Sequence, residues 1–149
     1  MFERFFSHPL PVGSTAPEFS LPDDAGNQVR LSALRGKNVV LVFYPGDSTP
    51  GCTRQLCQLR DSWESARARG VEVFGVNPQS AASHARFRSR HRFPFPLLVD
   101  AGRKVAALYN ASGIIVKRTV YLIGPDGTIR FARRGMPAPE EVLGAVASA

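Results

Sequence analysis

The feature that most constrains the fold of this chain is one continuous apolar run, Asn38–Tyr44, which ends at Pro45 and Gly46. The run is apolar at successive positions and not at alternate ones, so it suits a central strand that is covered on both faces. Such a strand needs helices above and below the sheet to which it belongs. We therefore expect a β-sheet with helices on both faces.

Strand and helix patterns alternate along the rest of the chain. Two short strand patterns flank the turn-forming cluster Asp23–Asn27 and predict an N-terminal β-hairpin. Gly70 is a helix-ending residue, and Asn77 followed by Pro78 is a helix-start signal. The patterns predict helices over 49–69, 77–91, 104–109 and 139–146, and strands over 71–76, 95–99, 119–123 and 128–132. This order predicts an α/β protein with a mixed central β-sheet.

The length and composition fit one globular domain. The chain has 149 residues, of which 44% are hydrophobic and 21% are charged. A chain of this size buries about two-thirds of the surface that it exposes when unfolded, so its core needs no disulfide or metal for stability. We expect a single domain over residues 1–149, and we expect both cysteines to be chemical rather than structural groups.

The net charge is +7 at pH 7, and most of the basic residues are arginines. A strongly basic chain could bind nucleic acid. The arginines are spread along the chain, however, and the densest basic run, His84–Arg92, is typical of the solvent-exposed face of one helix. We expect His8, His84 and His91 to be surface groups. A basic nucleic-acid-binding module remains the alternative from another functional class.

Two features favour a cytoplasmic location. Residues Met1–Pro9 contain no long apolar segment and no small-residue cleavage site, so they do not resemble a secretory signal. No apolar run has the length that a membrane-spanning helix needs. In a reducing cytoplasm, paired cysteines are usually catalytic or metal-binding.

Cys52 occupies a chemically special position. Thr49 followed by Pro50 is a helix-start signal, because threonine caps a helix N-terminus and proline fits the first helical position. Cys52 then falls in the first turn, close to unpaired backbone N–H groups and to the positive end of the helix dipole. Both effects favour a thiolate over a thiol, and the thiolate is the nucleophilic form of cysteine.

These residues carry a resemblance to a known family. The segment Pro45–Cys52 contains the pattern Pro-x-x-x-Thr-x-x-Cys, and Cys57 follows five positions later. Gly13–Phe19 and Gly124–Gly127 extend the similarity to nearly the whole chain. The sequence resembles the peroxiredoxins, and within them the bacterioferritin-comigratory, or peroxiredoxin Q, subfamily. The resemblance implies a thioredoxin-like fold and a two-cysteine thiol peroxidase.

The resemblance also implies a role for each matching residue. Cys52 is the expected peroxidatic cysteine, which attacks a peroxide and becomes a sulfenic acid. Thr49 is expected to hydrogen-bond the sulfur and the peroxide, and Pro45 is expected to shield the sulfenic acid from water. Cys57 is the expected resolving cysteine, which forms an intramolecular disulfide with Cys52.

The family has an active-site arginine that precedes an apolar strand. Arg118 fits that place, with Lys117 and Arg133 as competitors. A guanidinium stays charged and offers several donors in a rigid fork, so it can stabilise the negative charge that develops when an O–O bond breaks. No metal or organic cofactor is implied, because the sulfur itself carries the electrons.

The spacing of the two cysteines predicts a conformational change. Residues five apart on a regular helix have Cα atoms about 8.7 Å apart, given a rise of about 1.5 Å per residue. A disulfide needs Cα atoms about 4.4–6.8 Å apart, so the start of the helix must unwind before Cys52 and Cys57 can join. Gly51, with its low helix propensity, makes that unwinding easier. The expected partners are a peroxide and a thioredoxin-like reductant, and the expected state is a monomer or a weak dimer.

Three other interpretations of the cysteines stay open. A thioredoxin-like disulfide oxidoreductase is the closest enzymatic alternative, but it requires Cys-x-x-Cys, which this sequence lacks. A zinc site could combine both cysteines with two of the three histidines, although no histidine stands at ligand spacing beside them. The cysteines could also be ordinary buried thiols.

Overall fold

The computed structural model describes residues 8–146, which form two sheets. The strands in this range are β1 (Ser20–Pro22), β2 (Gln28–Arg30), β3 (Asn38–Phe43), β4 (Val71–Asn77), β5 (Leu97–Val99), β6 (Thr119–Ile123) and β7 (Ile129–Arg134). β1 and β2 pair as an antiparallel hairpin, and the others form a mixed sheet in the order β5-β4-β3-β6-β7. β3, β4 and β5 run parallel, whereas β6 is antiparallel to both β3 and β7.

Helices cover both faces of the mixed sheet. They are α1 (Pro50–Asp61), α2 (Trp63–Ala68), α3 (Ala81–His91), α4 (Lys104–Leu108) and α5 (Pro139–Leu143), with short 3₁₀ turns at Leu31–Leu34 and Ala101–Arg103. α1, α2, α3 and α5 contribute to the core on one face, and α4 and the hairpin contribute to the core on the other. The predicted mixed sheet with helices on both faces and an N-terminal hairpin is confirmed.

β3 is the centre of the sheet, as its apolar run predicts. Every residue from Asn38 to Phe43 is buried, and the strand pairs with β4 on one side and with β6 on the other. Alternate side chains of a strand point to opposite faces. Val40 and Val42 therefore pack beneath the helices α1, α2 and α3, while Leu41 and Phe43 pack into the opposite core. The loop that follows β3 thus starts from a fixed position.

The segment predicted as one helix over 49–69 forms two helices. The chain breaks at Ser62, where φ is −100° and ψ is 6°. The Ser62 N–H donates to the carbonyl groups of Gln58 and Leu59 at 3.2 and 3.1 Å, so the last turn of α1 tightens before α2 begins. The apolar spacing continues across this break, which is why the sequence does not signal it. Gly70 ends α2 with φ +68°, as predicted.

The prediction that Asn77 caps the next helix is wrong by three residues. Ser80 is the N-cap of α3, and its Oγ accepts a hydrogen bond from the Ser83 N–H at 3.2 Å. Asn77 is instead the last residue of β4, and its Oδ1 accepts from the Gln79 N–H at 2.8 Å. An Asn-Pro pair starts turns as well as helices, and here the turn precedes the helix.

The C-terminal helix is shorter than the predicted 139–146, because α5 ends at Leu143. The prediction that Met1–Pro9 is not a secretory signal concerns residues that lie largely outside the described range. Both ends of the predicted single domain also lie outside it. Of the helices within residues 8–146, none combines the length and the apolarity that crossing a bilayer requires.

Gly75 on β4 provides a test of the packing between the sheet and the loop after β3. A Cβ at this position would lie 2.7 Å from Leu97 Cδ2 and 3.0 Å from Tyr44 Cε1, and both of these side chains are fully buried. We expect Gly75→Ala to lower the free energy of unfolding by about 1–3 kcal/mol, because the added methyl group displaces packed side chains. Urea denaturation followed by circular dichroism measures this change.

Glu72→Ala on the same strand is the matched control. Glu72 pairs with Lys37 across 3.5 Å at the surface, and such pairs contribute about 0–1 kcal/mol. If Gly75→Ala loses no more stability than Glu72→Ala, the close packing around Gly75 is refuted.

Candidate active site

Cys52 lies in the first turn of α1, as the helix-start signal predicts. Thr49 is the N-cap residue, with extended backbone angles of φ −78° and ψ 149°, and Pro50 is the first helical residue. The Thr53 N–H donates to the Thr49 carbonyl oxygen at 2.8 Å and begins the helical hydrogen bonds. Cys52 has no exposed surface, so its sulfur is shielded from water in this conformation.

Arg118 contacts the sulfur of Cys52. Its Nη2 donates to Cys52 Sγ at 3.3 Å. Thr119 pairs with Phe43 in the register of β3 and β6, so Arg118 stands beside the point where the chain leaves β3 for α1. The Gly135 N–H donates to the Arg118 carbonyl oxygen at 2.8 Å and ties this position to the end of β7. A guanidinium is permanently charged and therefore favours negative charge on the adjacent sulfur.

Gln55 holds the guanidinium in place, which the sequence analysis did not predict. Its Oε1 accepts from Arg118 Nη1 at 2.7 Å, and its Nε2 donates to the Gly135 carbonyl oxygen at 3.4 Å. Gln55 is buried and follows Cys52 by three positions, so both side chains lie on one face of α1. The sequence signal that could have identified Gln55 is a polar residue three positions after the cysteine of the predicted helix. The amide orients the guanidinium without neutralising its charge.

Gly51 leaves room for the guanidinium. A Cβ at this position would lie 3.3 Å from Arg118 Nη2, which is a tight contact. The residue therefore combines two properties at the start of α1: it lowers the helix propensity of the first turn, and it allows the cation to approach the helix backbone beside Cys52.

Thr49 does not use its side chain to cap α1, contrary to the expectation of a hydroxyl cap. Its hydroxyl donates instead to the carbonyl oxygen of Gly46 at 3.1 Å, because the loop folds back toward that group. Thr49 is exposed, and Pro45, at the start of the loop, is half-buried. Both residues lie in the segment that leads into the cysteine turn, and their catalytic roles stay predictions.

The two competing cations make other contacts. Arg133 pairs with Glu141 and lies over the ring of Phe131, with its Cζ 5.0 Å from the ring centroid. The backbone N–H of Lys117 donates to the Ala111 carbonyl oxygen at 2.6 Å. Of the three candidates, Arg118 is the residue whose hydrogen bond reaches the sulfur.

A buried carboxylate supports the loop from its other side. Asp47 Oδ1 accepts from the Tyr44 hydroxyl at 2.6 Å and from Asn77 Nδ2 at 3.2 Å. Oδ2 accepts from the Ser83 hydroxyl at 2.7 Å and lies 2.6 Å from His84 Nδ1. Burial acts to raise the pKa of Asp47, but hydrogen bonds from His84, Tyr44 and Ser83 hold that pKa below its usual value. Burial and the neighbouring Asp47 raise the pKa of Tyr44 well above its usual value, so its hydroxyl stays protonated.

His84 is fully buried, so its interpretation as a surface group is wrong. Its Nε2 lies 2.9 Å from the Leu98 carbonyl oxygen, and Phe87 on the next turn of α3 is buried as well. The run His84–Arg92 therefore covers a helix with one buried face. Because both ring nitrogens already bond to protein groups, His84 offers no free lone pair to a zinc ion.

Cys57 is half-buried on the same continuous helix, and both cysteines are free thiols. Leu56, which precedes Cys57, is fully buried, as is Cys52. The predicted obstacle to a disulfide is therefore present in this conformation: α1 separates the two thiols, and unwinding it exposes packed side chains.

Several relatives of this chain carry peroxiredoxin names. It is 40% identical over 136 residues to the chloroplastic peroxiredoxin Q of Triticum aestivum, covering 89% of this chain and 63% of the relative. It is 38% identical over 132 residues to the putative peroxiredoxin bcp of Coxiella burnetii, covering 80% and 85% respectively. The crystal structure of peroxidoxin BcpB from Mycobacterium tuberculosis matches with a TM-score of 0.84 at 32% identity, over 90% of this chain and 94% of that chain.

The similarity covers most of this chain but only part of some relatives. The AhpC/TSA family profile matches residues 12–132, whereas the chain spans about 63% of the length of the wheat protein. The match to the BcpB structure confirms the expected thioredoxin-like peroxiredoxin fold. The chain belongs to the AhpC/TSA family, and its relatives lie in the peroxiredoxin Q and bcp group of that family.

Proposed function

We propose that this chain is a thiol peroxidase that reduces hydrogen peroxide and organic hydroperoxides at Cys52. The observation that carries the proposal is the 3.3 Å contact between Arg118 Nη2 and Cys52 Sγ in the first turn of α1. A sulfur beside a guanidinium and a helix N-terminus is stabilised as the thiolate, which is the form that attacks an electrophilic oxygen. The peroxiredoxin names of the wheat and Coxiella relatives support the same reaction class.

In the first step, the Cys52 thiolate attacks one oxygen of the peroxide. An S–O bond forms and the O–O bond breaks, so the sulfur is oxidised to a sulfenic acid. The departing oxygen takes a proton and leaves as an alcohol or as water. Negative charge develops on that oxygen, and the Arg118 guanidinium and the first-turn N–H groups stabilise it. The Thr49 hydroxyl joins them when it turns from the Gly46 carbonyl oxygen to the peroxide. Pro45 shields the sulfenic acid from further oxidation.

In the second step, the Cys57 thiol attacks the sulfenic sulfur of Cys52. An S–S bond forms, the S–O bond breaks, and the hydroxyl group leaves as water with the thiol proton. This step requires the start of α1 to unwind, because Cα atoms five positions apart on a helix are about 8.7 Å from each other. Gly51 lowers the cost of that unwinding.

A dithiol of the thioredoxin type then reduces the disulfide, giving two electrons and two protons and becoming a disulfide itself. The cycle uses no metal or organic cofactor. A reducing compartment supplies such a dithiol, and the cytoplasm is the compartment that we propose. We also propose that residues 1–149 form one domain that acts as a monomer.

Mass spectrometry of cysteine variants tests the two assigned roles. With an equimolar amount of peroxide, we expect the wild-type protein to form the intramolecular disulfide. Cys57→Ser should accumulate the sulfenic acid or its further oxides, and Cys52→Ser should not react, because Cys57 lacks the guanidinium contact. Peroxide oxidation of Cys52→Ser at the wild-type rate would refute the assignment.

The same proteins separate the proposal from its alternatives. A thioredoxin-like disulfide oxidoreductase reduces the disulfides of insulin and consumes no peroxide. A nucleic-acid-binding module shows salt-dependent binding to DNA without peroxide turnover. Either pattern in the wild-type protein counts against a thiol peroxidase.

Arg118 and Gln55 are tested by the rate of the peroxide step. We expect Arg118→Ala to lower the second-order rate constant by about 10²–10³-fold, because a preorganised donor is lost. Gln55→Ala should cause a smaller loss, on the order of tenfold, because the guanidinium loses its anchor. Stopped-flow measurements with Arg133→Ala and Gln58→Ala as exposed controls check both values. If Arg118→Ala reacts as fast as Arg133→Ala, the guanidinium does not activate the sulfur.

Hydrogen exchange compares the reduced and the disulfide form. We expect the amides of residues 53–57 to lose protection in the disulfide form, because the first turns of α1 unwind. The amides of β3 should keep theirs, because its residues are buried at the centre of the sheet. Equal protection of α1 in both forms, with the disulfide present, would show that no unwinding occurs.

A further inference from the structure

A set of buried polar side chains ties the loop before α1 to the body of the protein. The loop joins β3 to α1, and the side chain of Asp47 near its centre is only 2% exposed. We call the following group the Asp47 cluster: the carboxylate of Asp47 with its four hydrogen-bond partners, Tyr44, Asn77, Ser83 and His84. Three of these partners lie at the end of β4 and on α3, neither of which carries a cysteine.

Asp47 and His84 are joined by a short, buried hydrogen bond. The Leu98 carbonyl oxygen can only accept, so His84 Nε2, 2.9 Å away, carries a proton. On the other side of the ring, Nδ1 and Asp47 Oδ2 are 2.6 Å apart and share a second proton. The carboxylate also accepts from Tyr44 and Ser83, and these bonds favour its ionised form. The pair is therefore joined by a short, buried hydrogen bond that involves an ionised carboxylate.

The backbone next to Asp47 adopts a conformation that its residue type does not favour. Ser48 has φ +63°, which is the left-handed region that non-glycine residues seldom occupy. Thr49, the N-cap of α1, follows directly. The hydrogen bonds of Asp47 on one side and the packing of α1 on the other hold this residue in place. A loop under such strain relaxes when either restraint is lost.

We propose that Asp47 and His84 form a latch that positions the N-cap of α1 and thereby sets how readily the first turn unwinds after Cys52 is oxidised. The proposal rests on the thiol peroxidase function proposed above. Asp47 and His84 do not touch the reacting atoms; they are positioning residues. The closed latch favours the position of Thr49 at which α1 begins and Cys52 lies beside Arg118. When the latch is weakened, the first turn opens more often, and Cys57 reaches the sulfenic acid sooner.

The test separates the two chemical steps in Asp47→Asn and His84→Gln. Stopped-flow experiments give the rate of the peroxide step and the rate of disulfide formation. We expect the ratio of the second rate to the first to rise about tenfold in each variant, because a charged hydrogen bond is lost. The double variant should show no larger ratio than either single variant, because the two residues act through one contact. With excess peroxide, the sulfinic acid fraction should fall.

Asp24→Asn is the matched control, because it removes another carboxylate that binds α3, here through a partly buried ion pair. Asp24 is 8% exposed and bonds to Arg88 Nη1 at 3.2 Å, but it holds the hairpin turn and not the loop before α1. We expect Asp24→Asn to lower the stability to urea and to leave the ratio of the two rates within about twofold of wild type. An equal rise in this control would show that general destabilisation, and not the latch, accelerates disulfide formation.

Ser83→Ala keeps the proposal testable if the charged variants do not fold. It removes one hydroxyl donor to Asp47 Oδ2 and leaves His84 in place. We expect the ratio to rise about threefold. An unchanged ratio in Ser83→Ala, together with an unchanged ratio in any folded Asp47 or His84 variant, overturns the proposal.

A second readout does not depend on peroxidase activity. In the reduced protein, we expect Asp47→Asn to lower hydrogen-exchange protection at residues 53–56, while Asp24→Asn leaves it unchanged. If the wild-type protein consumes no peroxide, the proposed function fails. The hydrogen-exchange comparison still shows whether Asp47 restrains the first turn of α1. If the wild-type protein is active but the variants keep full protection and the wild-type ratio, the latch alone fails.

Discussion

The contact between the Arg118 guanidinium and the Cys52 sulfur is the interaction on which the candidate site depends. Two separate elements produce it: α1 carries the sulfur, and the residue before β6 carries the cation. β3 brings them together, because it pairs with β6 and also leads into α1. A partly buried guanidinium needs acceptors, and the sulfur and the Gln55 amide oxygen supply them. The position of the cation relative to the sulfur therefore depends on the register between β3 and β6, and the buried apolar run of β3 holds that register.

In the proposed reaction, the same helical turn has to satisfy two opposite requirements. It must be ordered to hold the sulfur beside Arg118, and it must unwind to let Cys57 approach. The magnitudes are compatible, because burying a side chain such as Leu56 is worth about 1.5–3 kcal/mol. An opening that exposes one such side chain leaves the open state populated at about 0.6–7%. Such a population suits a resolving step that follows oxidation without dismantling the reduced site.

Features that depend on neighbouring residues could be predicted from the sequence. The β3 run, the start of α1 and the place of Cys52 in its first turn all follow from adjacent residues. Contacts between distant segments could not be predicted in this way. Asp47 and His84 are 37 positions apart. His84 also begins a basic run, and the composition of that run does not indicate that one face of the helix is buried. Arg118 was placed by family resemblance, because nothing local distinguishes it from Lys117.

The length of the loop explains how opening can stay local. The chain between Asp47 and Cys52 covers five steps, which can span about 17 Å when extended. To form a disulfide, Cys52 has to move only about 2–4 Å closer to Cys57, the difference between about 8.7 Å and about 4.4–6.8 Å. Asp47 can therefore stay bound to β4 and α3 while the first turn unwinds. In the proposed latch, the contact between Asp47 and His84 therefore changes the energy of the N-cap conformation and does not limit how far the chain can extend. After reduction, the same contact would favour the return of Cys52 to Arg118.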